Sequence, residues 1–369
     1  MKYYLIAGES SGDLHGSNLI KALKLKDSEA EFRFWGGDRM ALEAGEPVQH
    51  MRDMAFMGFI EVVQNLSTIR QFFKKCKSDI LYWKPDIVIF IDYPGFNLRM
   101  ARWTKEQGYK TVFYISPQLW AWKKNRIKQI KKYVDLMVPI LPFEVDFYSQ
   151  YGIKVKYEGH PLVDAISDFY SEGVQKTIEK SKPIIALLPG SRVQEIKKIL
   201  PTMIEAASHF LDEYELVLAA TSHIDTSIYE EILNRGNAEF IVKVVDKTYE
   251  VLSQADFALV ASGTATLETA LFDVPQIVCY RGSKISFEIA KRIVDIKYIS
   301  LVNLILDQEV VPELIQDDFN TLNLRQTIAK KLKETHETKT KYSKLHKLLG
   351  EPRVSDRIAA DIVRFGMGR

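Results

Sequence analysis

Asp92 ends the apolar run 86–92, DIVIFID, so its carboxylate should stand at the carboxyl end of an inner strand, and the YPG behind it forces a turn. A carboxylate there suits a general base for a hydroxyl, because partial burial lifts its pKa toward neutrality. The plainer reading is an Asx turn or a cap for a helix beginning near Phe96. A second chemical stretch is 256–273, DFALVASGTATLETALFD: a short apolar strand, a turn at Ser262, Gly263 and Thr264, then helix formers. A helix opening directly after such a turn aims unpaired N–H groups and the positive end of its dipole at an anion. Glu268, one turn inside, could accept both hydrogens of a ribose diol beside a diphosphate. Its alternative is capping by Thr264 or Thr266, with Glu268 balancing the dipole. In PGSRVQEI, Gly190 and Ser191 free a turn and Arg192 supplies a guanidinium fork matched to phosphate. An ordinary ion pair with Glu195 is the competing account.

GESSGD, after the apolar run 3–7, is the remaining glycine-rich loop. Gly8, Ser10 and Gly12 fit GxSxG, but too little chain precedes them for the strands and oxyanion loop of a hydrolase elbow. Glycines at 8, 12 and 16 do not make GxGxxG, and no GxxxxGK[ST] phosphate loop occurs. A tight βα turn is the structural alternative.

The elements needed to position these loops repeat along the chain. Strand-like runs at 3–7, 31–35, 86–92, 111–116, 136–141 and 154–158 alternate with helical patterns. A second series follows at 184–188, 215–220, 240–245, 257–261 and 276–280. The fold class expected is α/β, two Rossmann-like doubly wound domains facing across a cleft, with ligands at the carboxyl ends of the strands. Residues 1–165 would form the first domain, 166–345 the second, and 346–369 a helical segment packing on the first domain or on a partner.

The 369 residues suffice for about two domains, and 46% apolar with 27% charged residues is a globular profile. A net charge of +2 excludes a general polyanion binder, so no nucleic acid is expected. Cys76 and Cys279 offer neither a disulfide framework nor a zinc spacing, which points to a reducing compartment. With no signal-peptide core and no apolar run of spanning length, a cytoplasmic protein is expected, free to attach to a membrane face.

Taken in order, AGESSGDLHG, MGFIEV, IDYPGFN, YISPQLWAWKKNRI, LPFE, EGHPLVD, LPGSRVQEI, ASGTATLE and the region from SLVNLI to VVPELIQ resemble the lipid-A-disaccharide synthases nearly end to end. These are glycosyltransferases of the two-domain GT-B fold. The chain departs at Val302, where that family commonly has proline before the asparagine matching Asn303. The resemblance implies inverting transfer of 2,3-diacylglucosamine from its UDP ester to 2,3-diacylglucosamine 1-phosphate, giving a β-1,6 disaccharide and UDP, with no cofactor and no obligatory metal. It implies a donor site of Gly190, Ser191, Arg192, Glu195, Ser262, Gly263, Thr264, Glu268 and Asn303. Asp92 would be the base, with Asp13 its competitor, and Ser11, Gly12, Asp13 and Met57 would line the acceptor side. Rival readings are another UDP-sugar GT-B enzyme, of the UDP-N-acetylglucosamine 2-epimerase or peptidoglycan transferase type, and a non-catalytic nucleotide or membrane-surface binder.

The diacylated substrates that the resemblance implies would place the protein on the inner face of the inner membrane. Phe59, Ile60, Val63, Leu66 and Phe73 suit a helix with an apolar side, and Trp120, Trp122, Lys123, Lys124 and Arg126 suit an anionic bilayer surface. The alternatives are a core-facing helix, and a solvated one with Ile127, Ile130 and Val134 packed inward. A homodimer stays open.

Overall fold

The computed structural model describes residues 1–54, 66–121, 124–174, 178–283, 287, 288, 291 and 296–368. The chain divides into two compact units. The first comprises Met1–Asp164 with Gly350–Arg369, and the second Ala165–Leu349.

The first unit carries β1 (Lys2–Ala7), β2 (Glu31–Gly36), β3 (Gln49–His50), β4 (Ile87–Ile91), β5 (Lys110–Tyr114) and β6 (Leu136–Val138). They form one sheet in the order β3-β2-β1-β4-β5-β6, parallel throughout. All five residues of β4, IVIFI, are buried, because helices cover both faces of a parallel sheet. One face packs against the helices Ser10–Lys26 and Val354–Gly366. The other receives the helices Leu66–Trp83 and Pro94–Glu106, with Trp35, Cys76, Ile80 and Phe96 in its core.

The second unit repeats this plan with β7 (Ile184–Leu188), β8 (Glu215–Ala220), β9 (Val242–Val245), β10 (Phe257–Ala261), β11 (Gln276–Tyr280) and β12 (Glu313–Ile315). Its order is β12-β11-β10-β7-β8-β9, again parallel. Each sheet therefore reverses direction once, between β1 and β4 in the first and between β7 and β10 in the second. Such switch points are where doubly wound sheets open a crevice for ligands. The four loops singled out from the sequence leave the carboxyl ends of those four strands.

The strand expected over 154–158 does not form. That segment runs outside the sheet, and its polar groups are used by the C-terminal helix: Arg357 donates to the Glu158 carbonyl at 2.9 Å and Lys156 pairs with Asp361. The edge strands β3 and β12, two and three residues long, are too short to show a period of their own.

Candidate functional site

The candidate site of the first unit is built around the turn after β4. Asp92 and Tyr93 both adopt left-handed backbone, with φ of 45° and 49°. Two successive non-glycine residues there cost about 1–3 kcal/mol each, so the surroundings must enforce the turn. Asn97, fully buried in the first turns of the helix Pro94–Glu106, does so by donating from Nδ2 to the carbonyls of Asp92 (2.8 Å), Ile6 (3.2 Å) and Ile91 (3.3 Å). Asp92 N–H extends the ladder to the Tyr114 carbonyl at 3.0 Å, and Pro94 opens the helix. The Tyr93 ring lies against Gly8, where an added Cβ would come within 2.5 Å of it, and the Tyr93 hydroxyl donates to the Met54 carbonyl. Glycine at the end of β1 is thus the space into which the β4 turn folds.

The Asp92 carboxyl is half-buried, and its pKa is pushed up to about 7, first by that burial and then by the negative charge of Glu9. Such a group is ionised just above neutrality and takes up a proton just below it, the range a general base needs.

Asp13 is placed differently. It is 3% exposed, and its carboxylate accepts the N–H groups of Gly37 (2.7 Å), Arg39 (3.0 Å) and Met40 (3.1 Å), capping the helix Asp38–Ala44. Both of its oxygens are thus engaged by backbone N–H groups of the fold. Gly12 lets its helix sit on the strand ends, 3.3 Å from Ala7 Cβ and 3.7 Å from Ile91 Cγ2 to an added Cβ. Ser11 is exposed beside it, in the helix's first turn. Met57, the segment MGFIEV, Trp122 and Lys123 lie outside the described residues. Trp120 is half-buried, edge-on to Phe143 at 5.0 Å, and Arg126 is half-buried too. Ile127 and Ile130 point into the core, as the solvated-helix alternative required.

In the second unit the loops after β7 and β10 meet: a Cβ on Gly190 would lie 3.5 Å from Ala261 Cβ. Gly190 holds φ +103°, a conformation that glycine alone adopts without strain. Arg192 is the N-cap residue of the helix Val193–Ala207 and its Nη1 donates to Glu195 Oε1 at 2.8 Å, an exposed ion pair. Thr264 opens the helix Thr264–Leu271. The Thr266 hydroxyl turns back to the Gly263 carbonyl, and Ser262 Oγ donates to the Ile299 carbonyl. Glu268 is half-buried and accepts the Tyr249 hydroxyl at 2.9 Å on Oε1.

Asn303 stands in the first turn of the helix Leu301–Leu306. It is fully buried, donates to the Val311 carbonyl and Glu313 Oε1, and accepts the N–H groups of Val310 and Val311, so its amide folds the 308–313 loop. Val302 takes the second position of the helix Leu301–Leu306, a first-turn site that tolerates valine and proline alike. Sequence reasoning overlooked His223, whose Nε2 lies 3.2 Å from the Ser191 carbonyl, and Tyr249. His223 comes from the loop after β8 and Tyr249 from the first turn of the helix Thr248–Gln254, and no local pattern marks them. Asn97 sits inside the IDYPGFN motif, and only the fold shows what it holds.

A family model described as lipid-A-disaccharide synthetase matches residues 3–362. The chain is 34% identical over 371 residues to the lipid-A-disaccharide synthase of Geobacter metallireducens, covering 98% of this chain and 96% of that one. It is 39% identical over 336 residues to the same enzyme of Acidobacterium capsulatum, covering 87% and 84%. Solved structures share the fold at lower identity. The UDP-GlcNAc 2-epimerase of Neisseria meningitidis, bound to UDP-GlcNAc, superposes with a TM-score of 0.69 at 14% identity over 99% of this chain and all of that one. CalG4, the calicheamicin glycosyltransferase, gives 0.63 at 15% over 100% and 98%.

Proposed function

The chain belongs to the lipid-A-disaccharide synthetase family, and from that membership we propose how its residues divide the work of a hexosyltransferase. The reaction joins 2,3-diacylglucosamine, carried as its UDP ester, to the 6-hydroxyl of 2,3-diacylglucosamine 1-phosphate, with inversion and release of UDP. The observation that carries the assignment of roles is the Asp92 turn. A carboxyl with a pKa of about 7, held at the switch point by strained backbone, matches the need to take the hydroxyl proton as the new bond forms.

On the donor side, the diphosphate leaves with negative charge. The N–H groups opening the helices Val193–Ala207 and Thr264–Leu271, and Arg192 once it exchanges Glu195 for phosphate, meet that charge. His223 borders the same loop and Glu268 takes the ribose diol. The Neisseria relative by fold is described with a UDP-sugar bound, which agrees with a nucleotide-diphosphate site in this architecture. Family membership decides for transfer over epimerisation.

The enzyme works at an anionic membrane surface. Its substrates are diacylated, no helix among the described residues is long and apolar enough to cross a bilayer, and Lys128, Lys131 and Lys132 are exposed. Each cation near such a surface contributes about 1 kcal/mol, so replacing Lys123, Lys124 and Lys128 with Gln lowers sedimentation with anionic vesicles, as does added salt.

The deciding experiment is UDP release from UDP-diacylglucosamine with and without the monosaccharide phosphate. Asp92→Asn should cut turnover by roughly 10²- to 10⁴-fold with UDP affinity unchanged. Wild-type rates should fall below pH 7 as Asp92 protonates, and that acid limb should vanish in the variant. A fully active Asp92→Asn enzyme would remove Asp92 from the role, and UDP binding without any turnover would favour a non-catalytic binder.

A further inference from the structure

Two arginines in the first unit lie close together with no acidic partner among the described residues. Arg99, on the helix Pro94–Glu106, sets its guanidinium 6.0 Å from the centre of the Phe73 ring. Arg126 stands at the start of the helix Ile127–Tyr133, which packs beside the first helix, and it is half-buried. Burial and then the charge of Arg99 hold the Arg126 pKa below its ordinary value, so the two cations feel each other. Among the described residues no carboxylate lies within ion-pair distance of either. The next cations along the helix are served: Arg102 pairs with Glu106 at 2.9 Å, and Lys105 with Asp135. Two adjacent guanidiniums without an acid repel, and an anion offering several oxygens relieves that repulsion with paired hydrogen bonds.

The pair is tied to the base by contiguous rings. Tyr93, next to Asp92, has its ring centre 6.1 Å from that of Phe96; Phe96 stacks on Phe73 at 4.4 Å; and Phe73 underlies Arg99. Phe96 and Arg99 are three residues apart on one helix face, and helical side chains lean toward the N-terminus, here toward Asp92.

We propose that Arg99 and Arg126 clamp the phosphate monoester of the acceptor while Asp92 takes the proton from the hydroxyl at the other end of the same sugar. This rests on the transferase reading above. The clamp selects the phosphorylated glycolipid as acceptor, whereas the diacylglucosamine donor, whose anomeric oxygen is esterified to UDP, has no free monoester to offer it. The same phosphate chemistry is carried by phospholipid headgroups, and the experiment separates the two sources.

UDP release is measured with 2,3-diacylglucosamine 1-phosphate and with 2,3-diacylglucosamine lacking the phosphate. The two acceptors are also titrated calorimetrically, which needs no turnover. Wild type should bind the phosphorylated acceptor more tightly. Arg99→Gln and Arg126→Gln should each raise its KM and Kd by roughly 10- to 100-fold, the size expected for a lost charge-assisted hydrogen bond, with kcat little changed. Neither variant should alter the phosphate-free acceptor, and Arg→Lys should restore part of the loss. Equal binding of the two acceptors by wild type, or an equal loss for both in the variants, overturns the clamp. Loss of vesicle binding without acceptor discrimination assigns the pair to headgroups and overturns it too. If wild type releases no UDP at all, the transferase reading fails, and the calorimetric titration still decides whether the arginines read phosphate.

Discussion

At the scale of single residues, the two aspartates at the switch point of the first sheet show how position separates chemistry from architecture. Asp13 spends both oxygens on three backbone N–H groups, and Asp92 keeps a half-buried carboxyl beside Glu9. Asp13→Asn should therefore lower the melting temperature, because an amide cannot accept on both atoms, while an acid limb set by Asp92, as proposed, should stay in place. Activity lost in proportion to folded protein is the expected result, and a lost acid limb would return Asp13 to the chemistry. With Glu268 on the ribose diol as proposed, Tyr249→Phe, which removes a 2.9 Å bond to Oε1, should weaken UDP binding several-fold, with a smaller effect on 2′,3′-dideoxy-UDP. A pair of buried histidines works against the acid tolerance of the first unit. Burial pushes His15 down to about 4 and His160 to about 3, with Arg39 and His15 as their respective second causes. The unfolded chain binds more protons than the native one between about pH 6.5 and those values, so their contribution to stability is lost as pH falls through that window. Asp92 and Glu144, both raised to about 7, carry the opposite slope, binding protons in the native state between about pH 4 and 7. His15→Asn should shrink the histidine part of the change, read as a smaller loss of melting temperature between pH 6.5 and 4.5.

At the scale of elements, the four loops that leave β1, β4, β7 and β10 hold the candidate groups, and each contains a residue its neighbours require. Gly190→Ala meets two obstacles: φ of +103°, and a methyl 2.7 Å from Glu195 Oε2. It should cost about 1–3 kcal/mol and disturb the Arg192–Glu195 pair, seen as lower UDP affinity together with a lower melting temperature. Much of this level was legible in the sequence. Buried parallel strands read as unbroken apolar runs, as IVIFI and FALVA do, and the glycines and prolines after them mark the turns. What stayed hidden was pairing at a distance. That Asp13 caps a helix 24 residues on, that Asn303 folds the loop after its own helix, and that Tyr249 reaches Glu268 are facts of tertiary contact with no local period. The extended look of 154–158 misled for the same reason, since its partners lie some 200 residues away.

At the scale of the molecule, the chain leaves the first unit after Asp164 and re-enters it at Gly350. Asp164 marks both events, for its carboxylate accepts the N–H groups of Val354 (2.8 Å) and Ser355 (2.7 Å) and so caps the returning helix. That helix completes the core with Val354, Ile358, Ala359, Ile362 and Val363, packed in one cluster with Leu5, Leu19 and Ile20. Asp164→Ala should cost about 1–2 kcal/mol through the lost cap, and a chain ending at Leu349 should melt its first unit well before its second, giving two transitions where the full chain is compared. The same return sets an order of birth. A ribosome delivers the first 164 residues early, yet their core stays open until the last helix emerges, after the whole second unit has been made. At about 5–20 residues per second that wait is roughly 10–40 s, long enough for the nascent first unit to depend on a chaperone while the second folds ahead of it.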